Sequence, residues 1–290
     1  MVAVTRHEPR PMEACSGCFR QGGPKVKGIN VLDRSHLQTE NGLPYFQGPE
    51  MSRLGWVRHA FLTRRGGVSL PPYDSLNLGD GNGDLDEHVS TNRQRIAQAF
   101  RFDPRRLILL NQMSQDHILL LKKPLSPLPP LLEYDALITD APETFLGILT
   151  ADCLPIFVVE QKKSVIAAIH AGRQGTALHI TTQVLRRMKE EFDCSSSHLL
   201  ITIGPSIGPR CYEIDKKVFH SEWEPFAVPK GEGKWDVNLA GINIAQMEAE
   251  GIHRDQISWI DLCTHCHPDL FFSYRKEGQT GRQVSLIGMI

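Results

Sequence analysis

One stretch decides the fold of this chain: residues 147–175 read GILTADCLPIFVVEQKKSVIAAIHAGRQG. Two short apolar runs, rich in Val and Ile and bounded by charge or Gly, predict two buried strands, and the polar residues 160–163 predict a hairpin-like connection between them. Cys153 lies near the start of the first strand and His170 at the end of the second. Antiparallel pairing would bring both side chains to one edge of the sheet. A thiol and an imidazole held there suit either a metal site or a Cys/His nucleophile pair.

Composition limits what this edge can do. The chain has 290 residues, 41% of them hydrophobic, and a net charge of −1, so it can bury a full core but has no electrostatic attraction to nucleic acid or an anionic membrane. No apolar run approaches the roughly 18 residues of a membrane span, and the N-terminus has no apolar core of a signal peptide. The odd number of cysteines, seven, argues against a disulfide framework. These features predict a cytoplasmic enzyme.

The N-terminal part differs from the rest of the chain. Residues 1–42 are rich in Arg, Pro, Gly and Gln without periodicity, which predicts a disordered extension, whereas residues 43–290 are predicted to form the globular domain. The extension contains Cys15 and Cys18, which are either half of a four-thiolate zinc site or two loose thiols.

Two loops look suited to binding a small molecule. A predicted strand from Trp56 ends at the pair Gly66-Gly67, whose amides could turn toward an anion, and Arg64 beside them would add a forked positive charge; an ordinary surface arginine is the alternative. Residues 71–79, which include Asn77, form a polar, turn-rich loop of the sort that lines a pocket.

The remaining pattern alternates strands and helices. Helical spacing marks residues 87–100, 176–192 and 237–249, and apolar runs at 107–110, 118–121, 199–203 and 257–263 predict further strands. With no internal repeat, this order indicates one α/β or α+β domain with a layered sheet.

A cysteine-rich stretch near the C-terminus permits three interpretations. Residues 263–267 read CTHCH. The C-x-x-C-H pattern occurs at c-type haem attachment sites, but such haem is added in exported compartments and the chain shows no export signal. A second metal site and an ordinary loop of packed thiols and imidazoles are the other interpretations.

The motifs together resemble a known family, the YfiH-type laccase-domain proteins, long labelled multicopper polyphenol oxidases. The motifs that carry this resemblance are HAFLTRRGGVS (59–69), SLNLG (75–79), TADCLP (150–155), HAG (170–172), GPSIG (204–208), CYE (211–213), DLCT (261–264) and FSYR (272–275). The resemblance implies a single three-layer α/β/α domain with a mixed sheet, similar to toxin deamidases. It also implies a zinc or copper site of two His and one Cys. The implied activities are phosphorolysis of adenosine, inosine, guanosine and methylthioadenosine, and deamination of adenosine.

Carried over by position, Cys153 and His170 match two of the family's metal ligands. The third position holds Ser114 instead of His, and a serine hydroxyl is a poor zinc ligand. His117, three residues later, could replace it only if the loop re-aims it. Arg173 and Gln174 also stand where the family usually has Trp and Arg, which changes the shape and charge of the pocket.

These observations give a set of expected roles. Cys153, His170, Asp152 and Arg64 are the catalytic candidates, with Arg64 placing inorganic phosphate and Asp152 either handling protons, orienting His170 or capping the turn. Arg64, Asn77 and Arg275 are the candidates for substrate binding.

The substrate is expected to be a small purine nucleoside, with no nucleic acid or membrane partner and with the chain acting as a monomer or homodimer. Two alternatives stay open: a metal-free Cys/His hydrolase or deamidase, and a non-catalytic protein that binds a nucleoside or a protein partner. Copper oxidase chemistry ranks behind these, because multicopper sites need many more His ligands than the candidates here supply.

Overall fold

The computed structural model describes residues 28–122 and 133–290. In chain order, the strands of these residues are β1 Asn30–Leu32, β2 Gln38–Glu40, β3 Leu43–Phe46, β4 Val57–Leu62, β5 Leu107–Leu109, β6 Ile118–Leu121, β7 Ala136–Thr139, β8 Phe145–Thr150, β9 Leu154–Glu160, β10 Val165–Ala171, β11 Leu199–Ile203, β12 Glu213–Asp215, β13 Ala227–Gly231, β14 Lys234–Val237, β15 Ile257–Ile260 and β16 Gln283–Met289. The α-helices are α1 Pro49–Ser52, α2 Asp86–Ala99, α3 Arg173–Ala177, α4 Ile180–Phe192, α5 Leu239–Ala249 and α6 Tyr274–Glu277.

The two strands of the opening stretch lie inside the larger sheet. This mixed sheet has the order β1-β15-β11-β9-β10-β7-β6. As predicted, β9 and β10 pair antiparallel over their whole length, and every residue of both strands is buried. Full burial explains why their sequences are continuous apolar runs, since the two faces of the sheet are both covered.

A second mixed sheet packs face to face on the first. Its order is β2-β3-β4-β16-β8-β5, and a small antiparallel sheet, β12-β14-β13, lies apart from it. The contact between the two large sheets is apolar; for example, Phe61 of β4 stacks on Phe157 of β9 with ring centroids 4.6 Å apart. The predicted mixed α/β class is confirmed. The domain has four layers rather than the expected three, because two sheets, not one, pack face to face at its centre.

Helices cover the outer faces of the two sheets. Helix α4 buries Ile180, Val184, Leu185 and Met188 against the larger sheet together with α5, whereas α2 packs on the outer face of the second sheet. The predicted helix over 176–192 is divided into α3 and α4 at His179, whose φ of 57° lies in the left-handed region.

The N-terminal boundary differs from the prediction. Strand β1 pairs parallel with β15, and β2 pairs with β3. For residues 30–42 the prediction of disorder is therefore wrong, because short strands with few apolar residues gain order from the sheet edges that they extend. Cys15 and Cys18 lie outside the described residues. Within the described ranges, no helix is both long and apolar enough to cross a membrane.

Candidate functional site

Cys153 and His170 meet at one edge of the larger sheet. In the β9–β10 pairing His170 lies opposite Pro155, so Cys153, one residue before β9, ends beside it. Both side chains lie next to Gly172. Gly172 permits this approach, because a β-carbon at that position would lie 3.0 Å from the Cys153 sulfur. The local strand register alone therefore brings the thiol and the imidazole together.

A buried carboxylate that sequence analysis did not single out holds the imidazole in place. Asp135, one residue before β7, accepts a hydrogen bond from His170 Nδ1 at 2.8 Å and from the amides of Ser114 at 2.9 Å and Gln115 at 2.7 Å. Because Nδ1 is bound to Asp135, Nε2 is the ring nitrogen that remains for a reacting group. Burial alone lowers the pKa of His170, but the charge of a Cys153 thiolate and the Asp135 carboxylate outweigh it and raise the pKa to about 9.

The same carboxylate is itself kept ionised. Burial raises the pKa of Asp135, yet the hydrogen bonds from His170 and from the Gln115 and Ser114 amides outweigh burial and hold this pKa below its usual value. Asp135 thus joins the imidazole to the loop after β5, which it fixes through two backbone amides.

A cavity of ≈ 680 Å³ opens at this edge, lined by Cys153, His170 and Ser114 among others. Its size falls in the range of small-molecule sites. Thr150 also lines it, and the buried Thr150 Oγ1 has no hydrogen-bond partner within the described ranges. Gln112 fixes another part of the wall, since its amide exchanges two hydrogen bonds with the backbone of Leu149. The wall therefore combines a rigid backbone with polar groups that a ligand can engage.

Two arginines and an exposed aromatic ring line the opposite part of the cavity. Arg93 of α2 pairs with Asp80 at 2.5 Å, and its Nε is buried with no partner in the part of the chain that the structure describes. Arg282 donates hydrogen bonds to the carbonyls of Thr280 and Gly281, and Tyr274, 62% exposed, lies beside it. No pattern in the sequence predicted a role for these residues in the site, because they are remote from Cys153 in the chain. The local signals were the FSYR motif that contains Tyr274 and a Gly-Arg pair before the last strand.

Asn77 shapes this wall without lining it. It is fully buried, and its Oδ1 accepts hydrogen bonds from the amides of Gly79 and Arg282 and from the Asn82 side chain. The predicted direct contact of Asn77 with substrate is not supported by this position. The residue instead holds the turn 79–82 and the Arg282 backbone in register.

Arg64 lies elsewhere and is fully engaged. It is buried and lines a different cavity, where its guanidinium pairs with Glu277 at 2.6 Å and Asp74 at 3.3 Å and stacks on Phe272. The predicted phosphate-binding role of Arg64 beside Cys153 gains no support from this position, since two carboxylates pair with its guanidinium. Its role is to tie the loop after β4 to the segment around α6.

Asp152 and Arg275 form a structural contact next to the site. The carboxylate of Asp152 accepts hydrogen bonds from Thr264 Oγ1 at 2.6 Å and from the Arg275 amide at 2.7 Å. Of the three roles predicted for Asp152, the turn-capping role agrees with these contacts. The proton-transfer and His170-orienting roles gain no support from them, because Asp135 is the carboxylate that holds the imidazole. The Arg275 side chain is exposed, lies over Tyr212 and donates to the Glu213 carbonyl, outside the cavity lining.

The metal-ligand set at Cys153 and His170 is incomplete. Ser114 lines the cavity with them, in the left-handed conformation at φ 58°, whereas His117 is exposed and does not line it. The expected replacement of the third ligand by His117 is therefore not supported. Within the described ranges, no third Cys, His, Asp or Glu completes a group with Cys153 and His170. One thiolate, one imidazole and a hydroxyl do not fit the three strong donors of a catalytic zinc site.

Comparisons with known proteins agree with this fold. Residues 58–290 match the family described as multi-copper polyphenol oxidoreductase laccase. The chain is 34% identical over 235 residues to purine nucleoside phosphorylase YfiH of Escherichia coli strain K12, which covers 79% of this chain and 92% of that protein. It is 31% identical over 242 residues to purine nucleoside phosphorylase YlmD of Bacillus subtilis strain 168, covering 79% and 87%.

Solved structures give the same assignment. The crystal structure of the YfiH protein of Bacillus licheniformis matches with a TM-score of 0.80 and 29% identity, covering 88% of this chain and 99% of that one. The YlmD protein of Geobacillus stearothermophilus matches with a TM-score of 0.80 and 28% identity, covering 88% and 98%. The chain belongs to the YfiH-type laccase-domain family.

Proposed function

We propose that the chain is a purine nucleoside phosphorylase that works in the ≈ 680 Å³ cavity beside Cys153 and His170. The proposal rests on one observation: Arg282 and Arg93 line the same cavity as the Cys/His pair. Relatives named purine nucleoside phosphorylase support the reaction class. The site has what phosphorolysis requires, namely cations for an oxyanion and polar groups next to a nucleoside.

Arg282 is the best candidate to bind inorganic phosphate. Its guanidinium donates to carbonyl groups and, among the described residues, makes no ion pair, so its charge is available to an anion. Arg93 is partly neutralised by Asp80, but its unpartnered Nε supplies a further donor. Tyr274 offers an exposed ring against which a purine can stack.

The reaction requires one bond to form and one to break. A phosphate oxygen bonds to the anomeric carbon of the ribose while the carbon–nitrogen bond to the purine breaks, and the purine takes the electron pair and a proton. We assign this proton to His170, which Asp135 holds through Nδ1. The products are the free purine base and ribose 1-phosphate.

Adenosine, inosine, guanosine and methylthioadenosine are the proposed substrates, with deamination of adenosine as a second activity. Zinc would use Cys153 and His170 as ligands, but Ser114 leaves the donor set short of three strong ligands, so no step above depends on a metal. Deamination is therefore the less supported of the two activities.

The direct test is to incubate the purified chain with adenosine, with and without phosphate, and to separate the products by liquid chromatography. We expect adenine and ribose 1-phosphate only when phosphate is present. An Arg282→Gln variant should require more phosphate, while Arg275→Gln, which changes an exposed arginine outside the cavity lining, is the matched control. Absence of a phosphate-dependent free purine base from each of the four nucleosides would contradict the proposal.

A second candidate, a metal-free Cys/His hydrolase or deamidase, is favoured by one observation. Cys153 and His170 line the same cavity, as a nucleophile and a base would, and Asp135 holds the imidazole through Nδ1. This function predicts a turnover that iodoacetamide abolishes, that chelators leave intact and that does not depend on phosphate. Phosphate dependence therefore distinguishes the two candidates. Thermal stabilisation by a nucleoside without any turnover would instead identify a non-catalytic nucleoside-binding protein.

A further inference from the structure

Three cysteines and a histidine from two distant segments converge behind the Cys153 turn. Cys211 ends the short 3-10 turn Pro209–Cys211, and Cys263, His265 and Cys266 follow β15. The Cys211 and Cys266 sulfurs are 3.4 Å apart, and the ligand atoms of Cys211, His265 and Cys266 all lie within 4.8 Å of one another. The sequence motif C-x-x-C-H showed only one half of this group, because Cys211 is 52 residues away from Cys263 in the chain.

Cys263 lies on the same turn as His265 and Cys266. Its sulfur accepts the Gly208 amide at 3.1 Å. The segment Cys263–Cys266 is a tight turn in which the Cys266 amide donates to the Cys263 carbonyl. Two cysteines separated by two residues have the spacing that structural zinc sites use.

We propose that Cys211, Cys263, His265 and Cys266 bind one Zn²⁺ ion in a tetrahedral, structural site. Zinc–sulfur bonds of about 2.3 Å place tetrahedral sulfur ligands roughly 3.8 Å apart. The observed sulfur distance of 3.4 Å is close to this spacing and far from the roughly 2.0 Å of a disulfide. Four protein ligands leave no open position, so this zinc would not take part in chemistry.

Neighbouring groups hold the proposed ligands in place. The Gly208 amide donates to the Cys263 sulfur, and Lys276 donates to the His265 carbonyl.

The site would stabilise the turn that carries Cys153. Thr264, between two of the ligands, donates to Asp152, and its amide bonds to the Ser206 carbonyl. The amide of Ile207 in turn bonds to the Asp152 carbonyl. A metal that joins Cys211 to the segment 263–266 would therefore fix both loops that hold the Asp152–Cys153 turn.

The test measures metal in the full-length protein, purified under reducing conditions without added metal. We expect about one zinc per chain by plasma mass spectrometry, and X-ray absorption at the zinc edge should fit three sulfur ligands and one nitrogen. This measurement needs no variant, so it remains decisive if substitutions at the cluster prevent folding. The result also does not depend on whether the chain catalyses phosphorolysis, because the measurement identifies the atoms bound to zinc rather than an activity.

Variants assign the zinc to one of the two cysteine sites. Cys266→Ser should lose the zinc, while Cys153→Ser should keep it and keep the three-sulfur absorption spectrum. Zinc that disappears with Cys153→Ser, a spectrum with a single sulfur ligand, or protein without zinc would each overturn the proposal. In the last case, an intact mass about 2 Da lower would identify a Cys211–Cys266 disulfide instead, and an unchanged mass would identify an ordinary loop of packed thiols.

Discussion

Replacing Asp135 by Asn tests whether this carboxylate organises the site. The side chain is fully buried and accepts three hydrogen bonds, two from backbone amides of the loop after β5 and one from His170. An Asn side chain has one acceptor oxygen, and its amide nitrogen would face at least one of these donors. Asp135→Asn keeps the volume of the side chain, so its effect reports the charge and the acceptors rather than a cavity.

The magnitude follows from the lost contacts. One hydrogen bond to a charged acceptor contributes about 1.5–3 kcal/mol, and the unpaired amide and weakened imidazole contact add to this loss. We expect a destabilisation of about 3 kcal/mol, which lowers Tm by roughly 5 °C for a chain of this size. The imidazole also loses its orientation, and kcat/KM for phosphorolysis should fall by a factor on the order of 10³.

Calorimetry and steady-state kinetics check the two effects separately. Asp140→Asn is the matched control: Asp140 is exposed just after the same strand, so its loss should change stability by less than about 0.5 kcal/mol. If Asp135→Asn melts within a degree of the wild type and keeps its activity, the assignment of Asp135 as the residue that positions His170 is refuted.

Three further predictions follow from the same contacts. Arg282→Gln should raise the KM for phosphate by about 10- to 100-fold, because a charged hydrogen bond to phosphate is lost. Arg64→Gln should instead lower Tm and leave the KM for phosphate unchanged. Phosphate titrations of both variants check this, and a raised KM in Arg64→Gln with an unchanged KM in Arg282→Gln would contradict the prediction. In Gly172→Ala the new β-carbon would lie 3.0 Å from the Cys153 sulfur and should push this sulfur out of place. We expect kcat to fall at least tenfold. An unchanged kcat would show that activity does not depend on the wild-type position of the sulfur. Burial raises the pKa of Glu277, but the hydrogen bonds from Arg64, Thr280 and the Ser273 amide, together with the Arg64 charge, outweigh burial and hold the pKa below the usual 4.5. These contacts therefore stabilise the fold above about pH 4.5, and their contribution is lost as the pH falls through the lower folded-state pKa. Urea unfolding of wild type and Arg64→Gln at several pH values should therefore show a stability difference that shrinks below about pH 4, and a difference independent of pH would contradict the pairing.

The sequence by itself determined the central part of the site. The apolar runs of β9 and β10 are close in the chain and separated by a short polar turn, so their antiparallel pairing is a local event with a nearly fixed register. That register places Cys153 beside His170 whatever the rest of the chain does. The ordered motifs from residue 59 onward likewise identify the family, because each is a local pattern.

Only the tertiary structure decided which other residues join this pair. Asp135 reaches His170 because β7 pairs with β10, and Arg282 reaches the cavity because β16 lies between β4 and β8 in the second sheet. Arg64 looked like a phosphate ligand in isolation, yet the fold places two carboxylates against it. These outcomes depend on contacts between segments far apart in the chain, and local patterns carry no information about which charged groups will neutralise each other once the sheets have packed.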